Sequence, residues 1–185
     1  MKFAWKVTLA ALCILLLSTG VGSYLLISLS FQSALEREID MAQEEMQMLR
    51  VSYEAVCDAR GITLENVAER GRSLERTLKE AAYFSDRQFR ITTPTGSHIY
   101  STLDSASDQE LLSQIGRRSS GYVLRHEEKT GRYLLHCAGP VALPDGILYM
   151  ETIRDISRLF SDREIHYQVY RWIILLVVGV SSLVM

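Results

Sequence analysis

Only three cysteines occur in the 185 residues, and no two of them stand at a metal-ligand spacing such as C-x-x-C. Cys13 lies in an apolar run, so the single bridge open to the chain is Cys57 to Cys137, in an oxidising compartment. Two separate buried thiols is the plainer reading. There is no G-x-G-x-x-G and no Walker lysine, which leaves nucleotide binding without support. Basic charge is not in surplus either: 20 basic side chains stand against 22 acidic ones, so nothing points to nucleic acid as a partner. Internal repeats and low-complexity tracts are absent as well.

Charge is missing altogether from Val7 to Leu35, a run of 29 residues. Roughly 20 apolar residues cross a bilayer as a helix. A second uncharged run starts at Trp172 and ends with Met185; its length of about 14 residues cannot span about 30 Å at 1.5 Å per residue. A polar segment between two apolar runs is the layout of a transmembrane sensor, and the expectation is a fragment whose output lies further on, or an incomplete anchor. Lys2 and Lys6 precede the first run, whereas Glu36, Glu38, Asp40, Glu44 and Glu45 follow it. The positive-inside bias then puts residues 1–6 in the cytoplasm, a transmembrane helix at 7–31, residues 32–171 outside the cell and the start of a second membrane helix at 172–185. A cleaved signal peptide fits less well, because its apolar region is only about 7 to 15 residues long. From residue 36 to 171, 18 basic side chains face 22 acidic ones, a net charge of −4, and a segment of that size holds one domain with its own core.

Within the outer segment Leu35, Ile39, Ala42, Met46, Leu49, Tyr53 and Val56 recur at alternating steps of four and three. That is a heptad stripe on a long helix continuing from the membrane, stopped near Gly61. Leu35, Ile39, Ala42, Met46, Leu49 and Tyr53 are therefore candidates for a homodimer seam; packing of the same stripe on the domain's own sheet is the competing reading. Thr63 can cap a second helix through Ala81. From Arg87 the period falls to two: Phe89, Ile91 and Thr93 precede the Pro94-Thr95-Gly96 turn, and His98 to Thr102 resume the alternation as a hairpin. Ser107 and Glu110 form a capping box ahead of Leu111, Leu112 and Ile115, with Gly116 as the stop. Strands follow at Tyr122 to Glu127, Tyr133 to Val141 and Ile147 to Ile153, and Asp155 or Ser157 caps a last helix that runs into Trp172. The expected class is α+β: a five-stranded antiparallel sheet with helices on one side, a long N-terminal helix and flanking transmembrane helices.

The stretch Phe89 to Thr102 resembles the strand, turn, strand signature of extracytoplasmic PAS-like (Cache) sensor domains, and Asp145 to Ser157 resembles their closing strand and the start of the helix returning to the membrane. With Phe31 to Ile39 included, the chain is similar to the input half of Firmicutes-type two-component sensor histidine kinases. One departure is Pro94-Thr95-Gly96, where the family often has an acidic residue before the glycine. The resemblance implies a PAS-like fold and a homodimer that senses an extracellular ligand or envelope signal at the cell membrane. It also implies a cytoplasmic kinase that would use ATP and magnesium to phosphorylate a histidine and then a response regulator. None of that machinery is in this chain, so no cofactor and no catalytic residue are expected here. The same architecture would serve a chemoreceptor or cyclase input, or a complete membrane-tethered protein that regulates a separate kinase.

Arg90, Tyr100, Arg125, Tyr149 and Glu151 lie on expected strands and are the candidate ligand contacts, since an inward arginine can hold a carboxylate bidentately. Arginine on the solvent face of such a sheet is commoner. His126-Glu127-Glu128-Lys129-Thr130 echoes a phosphoacceptor box, but that chemistry works from a helix and this stretch sits at a strand end. His126 and His136 flank one hairpin and share a face only if the loop has the right length. With no third ligand at metal spacing, they read as ordinary surface or half-buried histidines.

Overall fold

The computed structural model describes residues 2–67, 69–70, 88–103, 109–115 and 120–184. The elements are α1 (Lys2–Ala59), β1 (Phe89–Thr92), β2 (His98–Ser101), α2 (Gln109–Gln114), β3 (Gly121–Glu127), β4 (Arg132–Leu143), β5 (Gly146–Asp155) and α3 (Ser157–Val184). The expected helix from Thr63 lies outside the described residues beyond Arg70, as do Ser107 of the expected capping box and Gly116. The chain falls into two compact units, residues 38–156 and residues 1–37 with 157–185.

The first unit is α+β. Its five strands are all antiparallel and run in the order β2-β1-β5-β4-β3. Two of the three hairpins turn on a glycine: Gly96 and Gly131 carry φ of 84° and 69°, conformations that a side chain with a Cβ resists. Strand β1 is short yet buried at all four positions, because it lies between β2 and β5 and both of its faces are covered.

Against one face lies the second half of α1. Leu49, Tyr53 and Cys57 pack with Phe89, Ile91, Val141, Leu148 and Met150. Opposite them, Leu111 and Ile115 of the α2 segment pack on Ala138, with Val123 and Tyr149 at the margin. Helices therefore cover both faces, where the sequence pattern suggested one. The cause is burial: a sheet whose central strands are buried on both sides needs cover on both.

Four residues of the heptad stripe are buried within the single chain. Ala42, Met46, Leu49 and Tyr53 are 4%, 1%, 1% and 0% exposed within a single chain, and Leu35 and Ile39 are half-buried. Ala42, Met46, Leu49 and Tyr53 are committed to the domain's own core, and Cys57 rather than Val56 continues the row. The helix stops as its sequence implies. Gly61 has φ 60°, Ile62 N–H donates to the Cys57 carbonyl at 2.9 Å and Gly61 N–H to that of Asp58 at 3.1 Å. This left-handed cap satisfies carbonyls that the helix end leaves free. The next helical turn takes its cap from a distant residue: Asp145 accepts from Leu64 N–H at 2.7 Å and from Glu65 N–H at 3.3 Å.

The second unit is helical. Tyr24 stacks on Tyr167 with centroids 5.8 Å apart, and Phe31 meets Phe160 edge-on at 5.1 Å. Among the described residues α1 is the one helix with an apolar stretch long enough to cross a membrane.

Candidate functional site

Antiparallel register puts Arg90 of β1 directly opposite Glu151 of β5, which in turn faces Ala138 of β4. Paired residues share a face of the sheet, and so do residues two apart on one strand. His136 therefore joins Arg90 and Glu151 on the face away from α1. Arg90 Nη1 donates to Glu151 Oε2 at 3.0 Å, and His136 Nδ1 is 3.1 Å from Glu151 Oε1. Arg90 Nε also reaches Ser101 Oγ at 3.4 Å. The three charged or titratable side chains are 2%, 1% and 6% exposed. Both carboxylate oxygens of Glu151 are used, as a buried charge requires. When the ring is neutral, the bond from His136 needs the proton on Nδ1.

This arrangement revises the expectation for Arg90 and His136. Neither is a surface side chain, because β1 and β4 are interior strands of the sheet. Sequence reasoning missed His136 as a member of the cluster; the signal was its two-residue offset from Ala138, legible only once the β4–β5 register is known. The candidate ligand contacts do not converge. Arg90, Glu151 and Tyr149 share the face away from α1, and Arg125 of β3 shares it further out. Arg125 is paired with Glu110 of α2 at 2.5 Å, both largely exposed. Tyr100 lies on the opposite face, opposite Ile91 in register, with its ring 5.1 Å from Phe89. Arg90 and Arg125 each already hold a carboxylate of the protein itself, so a ligand acid would have to displace one.

Thr92, opposite Tyr149 in register, is a buried polar residue of this face. Its Oγ1 is buried and has no partner among the described residues. His126 and His136 fall on opposite faces, since Glu127 pairs with Arg132 and the four intervening residues shift the phase; His126 instead stacks on Tyr133 at 4.4 Å. Among the described residues no three histidine, cysteine or acidic side chains gather as a metal site. Glu127 is engaged with the Thr130 hydroxyl and Arg132 in the turn, a strand-end context unlike a phosphoacceptor helix.

At the end of β5, Arg154 bridges back to α1. Its Nε lies 3.2 Å from Glu38 Oε2 and its Nη1 3.3 Å from Glu45 Oε2. A cavity of about 330 Å³ beside it is lined by Ala42, Gln88 and Thr152 among others. Cys57 and Cys137 are free buried thiols, each pushed up to about 11 chiefly by burial. Cys57 sits on the sheet-facing side of α1 and Cys137 on the α1 face of β4, on the opposite face of the sheet from the Glu151 cluster. No protein-family profile matches the chain, and no curated protein matches it.

Proposed function

We propose that this chain is the membrane-anchored input region of a signalling protein of the two-component sensor histidine kinase type. Residues 32–171, which include the compact unit 38–156, are its extracytoplasmic PAS-like sensor. Residues 7–31 cross the membrane with the N-terminus in the cytoplasm, and Trp172 opens a second membrane helix. It works as a homodimer, takes an extracellular ligand or an envelope signal, and relays it toward a cytoplasmic kinase and its response regulator.

One observation carries the reading. Helix α1 is continuous from Lys2 to Ala59: its early part is apolar enough to cross a bilayer, and its late part forms a wall of the sheet domain's core. The other connection supports it, since β5 passes through Ile156 alone into α3. Arg154, one residue from the end of β5, holds Glu38 and Glu45 of α1. A ligand on the face of Thr92 and Tyr149 would act on β5, and the Arg154 bridges would carry a small shift to α1. Packed helices convert such a shift into one of two arrangements.

The topology is tested by labelling Glu128→Cys, an exposed turn position, with a membrane-impermeant maleimide in intact cells. Labelling should proceed without lysis; labelling only after lysis would overturn the sensor orientation. The coding sequence after Met185 tests the output. A linker and an H-E-x-x-x-P helix support a kinase, whereas a methyl-accepting coiled coil, a cyclase module or a stop codon would each replace it.

A further inference from the structure

Helix α3 carries two rows of side chains at heptad spacing, and the single chain uses one of them. Phe160, Arg163, Tyr167 and Tyr170 stand at steps of three and four and turn toward α1. Phe160 meets Phe31, Tyr167 stacks on Tyr24, and the Arg163 guanidinium lies 4.4 Å from the centre of the Phe31 ring. Tyr170 joins them, since a methyl group at Gly20 of α1 would sit 3.5 Å from its hydroxyl. The second row lies on the other side of the helix. Ile165, Val169, Trp172 and Leu176 recur at steps of four, three and four, and they are 52%, 52%, 72% and 67% exposed. Large apolar side chains at that spacing form one continuous stripe.

Lipid accounts for one half of the stripe and not for the other. Trp172 opens the uncharged run, where acyl chains can cover Leu176. Ile165 and Val169 instead stand among Asp162, Arg163, Glu164, His166 and Arg171. Charged side chains at that density keep this part of the helix out of hydrocarbon. An apolar stripe that starts in water and runs on into the membrane calls for protein as its cover.

The stripe is complementary to itself. Continued toward the start of α3 by the same spacing, it takes in Asp162 and Arg158, which hold each other loosely at 3.9 Å with side chains 54% and 94% exposed. In a parallel pair of α3 helices, Ile165, Val169 and Trp172 meet their own copies as a and d residues. The Arg158 and Asp162 layers adjoin and carry opposite charge, so each guanidinium finds a carboxylate of the other copy beside its own. The e and g positions hold Ser161, His166, Gln168 and Ile173, and no like charges oppose each other along the edges of the seam. A two-fold axis along parallel helices also keeps both anchors in one membrane. We infer that α3 forms a dimer seam, in which residues 158–176 pack against the same segment of a second copy of this chain. The inference rests on the homodimer of the proposed function and names where its copies meet. Because β5 passes through Ile156 alone into α3, the strand that carries Glu151 leads directly into the seam.

The test uses the full chain in vesicles with Cys13→Ala as background, because Cys13 is exposed whereas Cys57 and Cys137 are buried. Single cysteines replace Ile165 and Val169 in the row and Glu164 and Arg171 beside it, all four exposed in the single chain. Oxidation should crosslink Ile165→Cys and Val169→Cys in at least about fivefold higher yield than Glu164→Cys and Arg171→Cys, since a and d side chains meet across such a seam. Val169→Glu should lower the dimer fraction in mild detergent at least about fivefold. Val169→Leu should keep it, and the melting of the sheet domain should be unchanged in both. Equal yields on and off the row, or a dimer fraction indifferent to Val169→Glu, would overturn the inference. Quenching of a dye at position 165 by spin-labelled lipid would make the bilayer the occupant and overturn it as well. Light scattering reports separately on the homodimer: a dimer that crosslinks only at Met41→Cys, Met48→Cys and Val51→Cys refutes the seam alone, whereas a monomer refutes the homodimer reading with it.

Discussion

Oε1 of Glu151 lies 3.1 Å from Nδ1 of His136 while Oε2 of the same carboxylate holds Arg90 at 3.0 Å. One acidic side chain therefore joins three strands, β1, β4 and β5, through a site with almost no access to water. Removing it exposes the asymmetry of buried charge: a well-packed apolar replacement of the whole cluster costs little, whereas deletion of one partner leaves a charge behind. Glu151→Ala should lower unfolding free energy by about 3–5 kcal/mol. Arg90→Met combined with it should recover a large part of that loss. Urea unfolding of the three proteins checks the pattern; an equal loss in the single and double variants would mean the ion pair is not what the cluster contributes.

The two faces of α1 separate by substitution. Met46 is 1% exposed and Met48 53%. Met46→Glu would bury a carboxylate against the sheet and should destabilise the domain by more than about 3 kcal/mol. Met48→Glu should stay within about 0.5 kcal/mol in the monomeric domain. If Met41, Met48 and Val51, all exposed, meet a second copy, single cysteines at 41, 48 and 51 will crosslink and those at 42, 46 and 49 will not. Equal crosslinking of both sets would return the buried stripe to consideration as the seam.

Asp145 gives a pH dependence with a definite sign. Hydrogen bonds from Leu64 N–H, and more weakly from Glu65 N–H, hold its carboxyl below the ordinary value of 3.8. A carboxyl whose folded pKa is depressed contributes stability that is present above its unfolded pKa and lost as pH falls through its folded one. Wild type should exceed Asp145→Asn in thermal stability at neutral pH, and the gap should close below pH 3.8. Melting curves from neutral to acid pH measure it; a gap that widens in acid would contradict the cap.

The thiols of Cys57 and Cys137 are buried and pushed up to about 11, so little thiolate exists at neutral pH. Alkylation of the segment from residue 36 to 168 should be slow in buffer and rapid in denaturant. Reductant and chelator should leave its melting temperature unchanged. A large loss under either would indicate a bridge or a metal that holds the fold.

Several elements were legible in the chain because their signals are local. The hairpin at Gly96, the stop at Gly61 and the punctuation of β3 to β5 follow from φ preferences, turn residues and, in the first hairpin, period-two patterning, and each is found within a few residues of its expected place. The buried fate of Arg90 was not legible. A four-residue strand reads alike at an edge or in the middle, and only the order β2-β1-β5-β4-β3 put it between two neighbours. Tyr100 shows the same dependence, since one step of register decides which face it takes.

The amino-acid sequence by itself determined the apolar run of α1, the strand count and the turns, because these depend on neighbours close along the chain. Tertiary structure alone decided that Ala42, Met46, Leu49 and Tyr53 pack on their own sheet and that His136 meets Glu151. A heptad stripe is equally content against a partner helix or a sheet, and contacts between strands depend on register set by the whole domain.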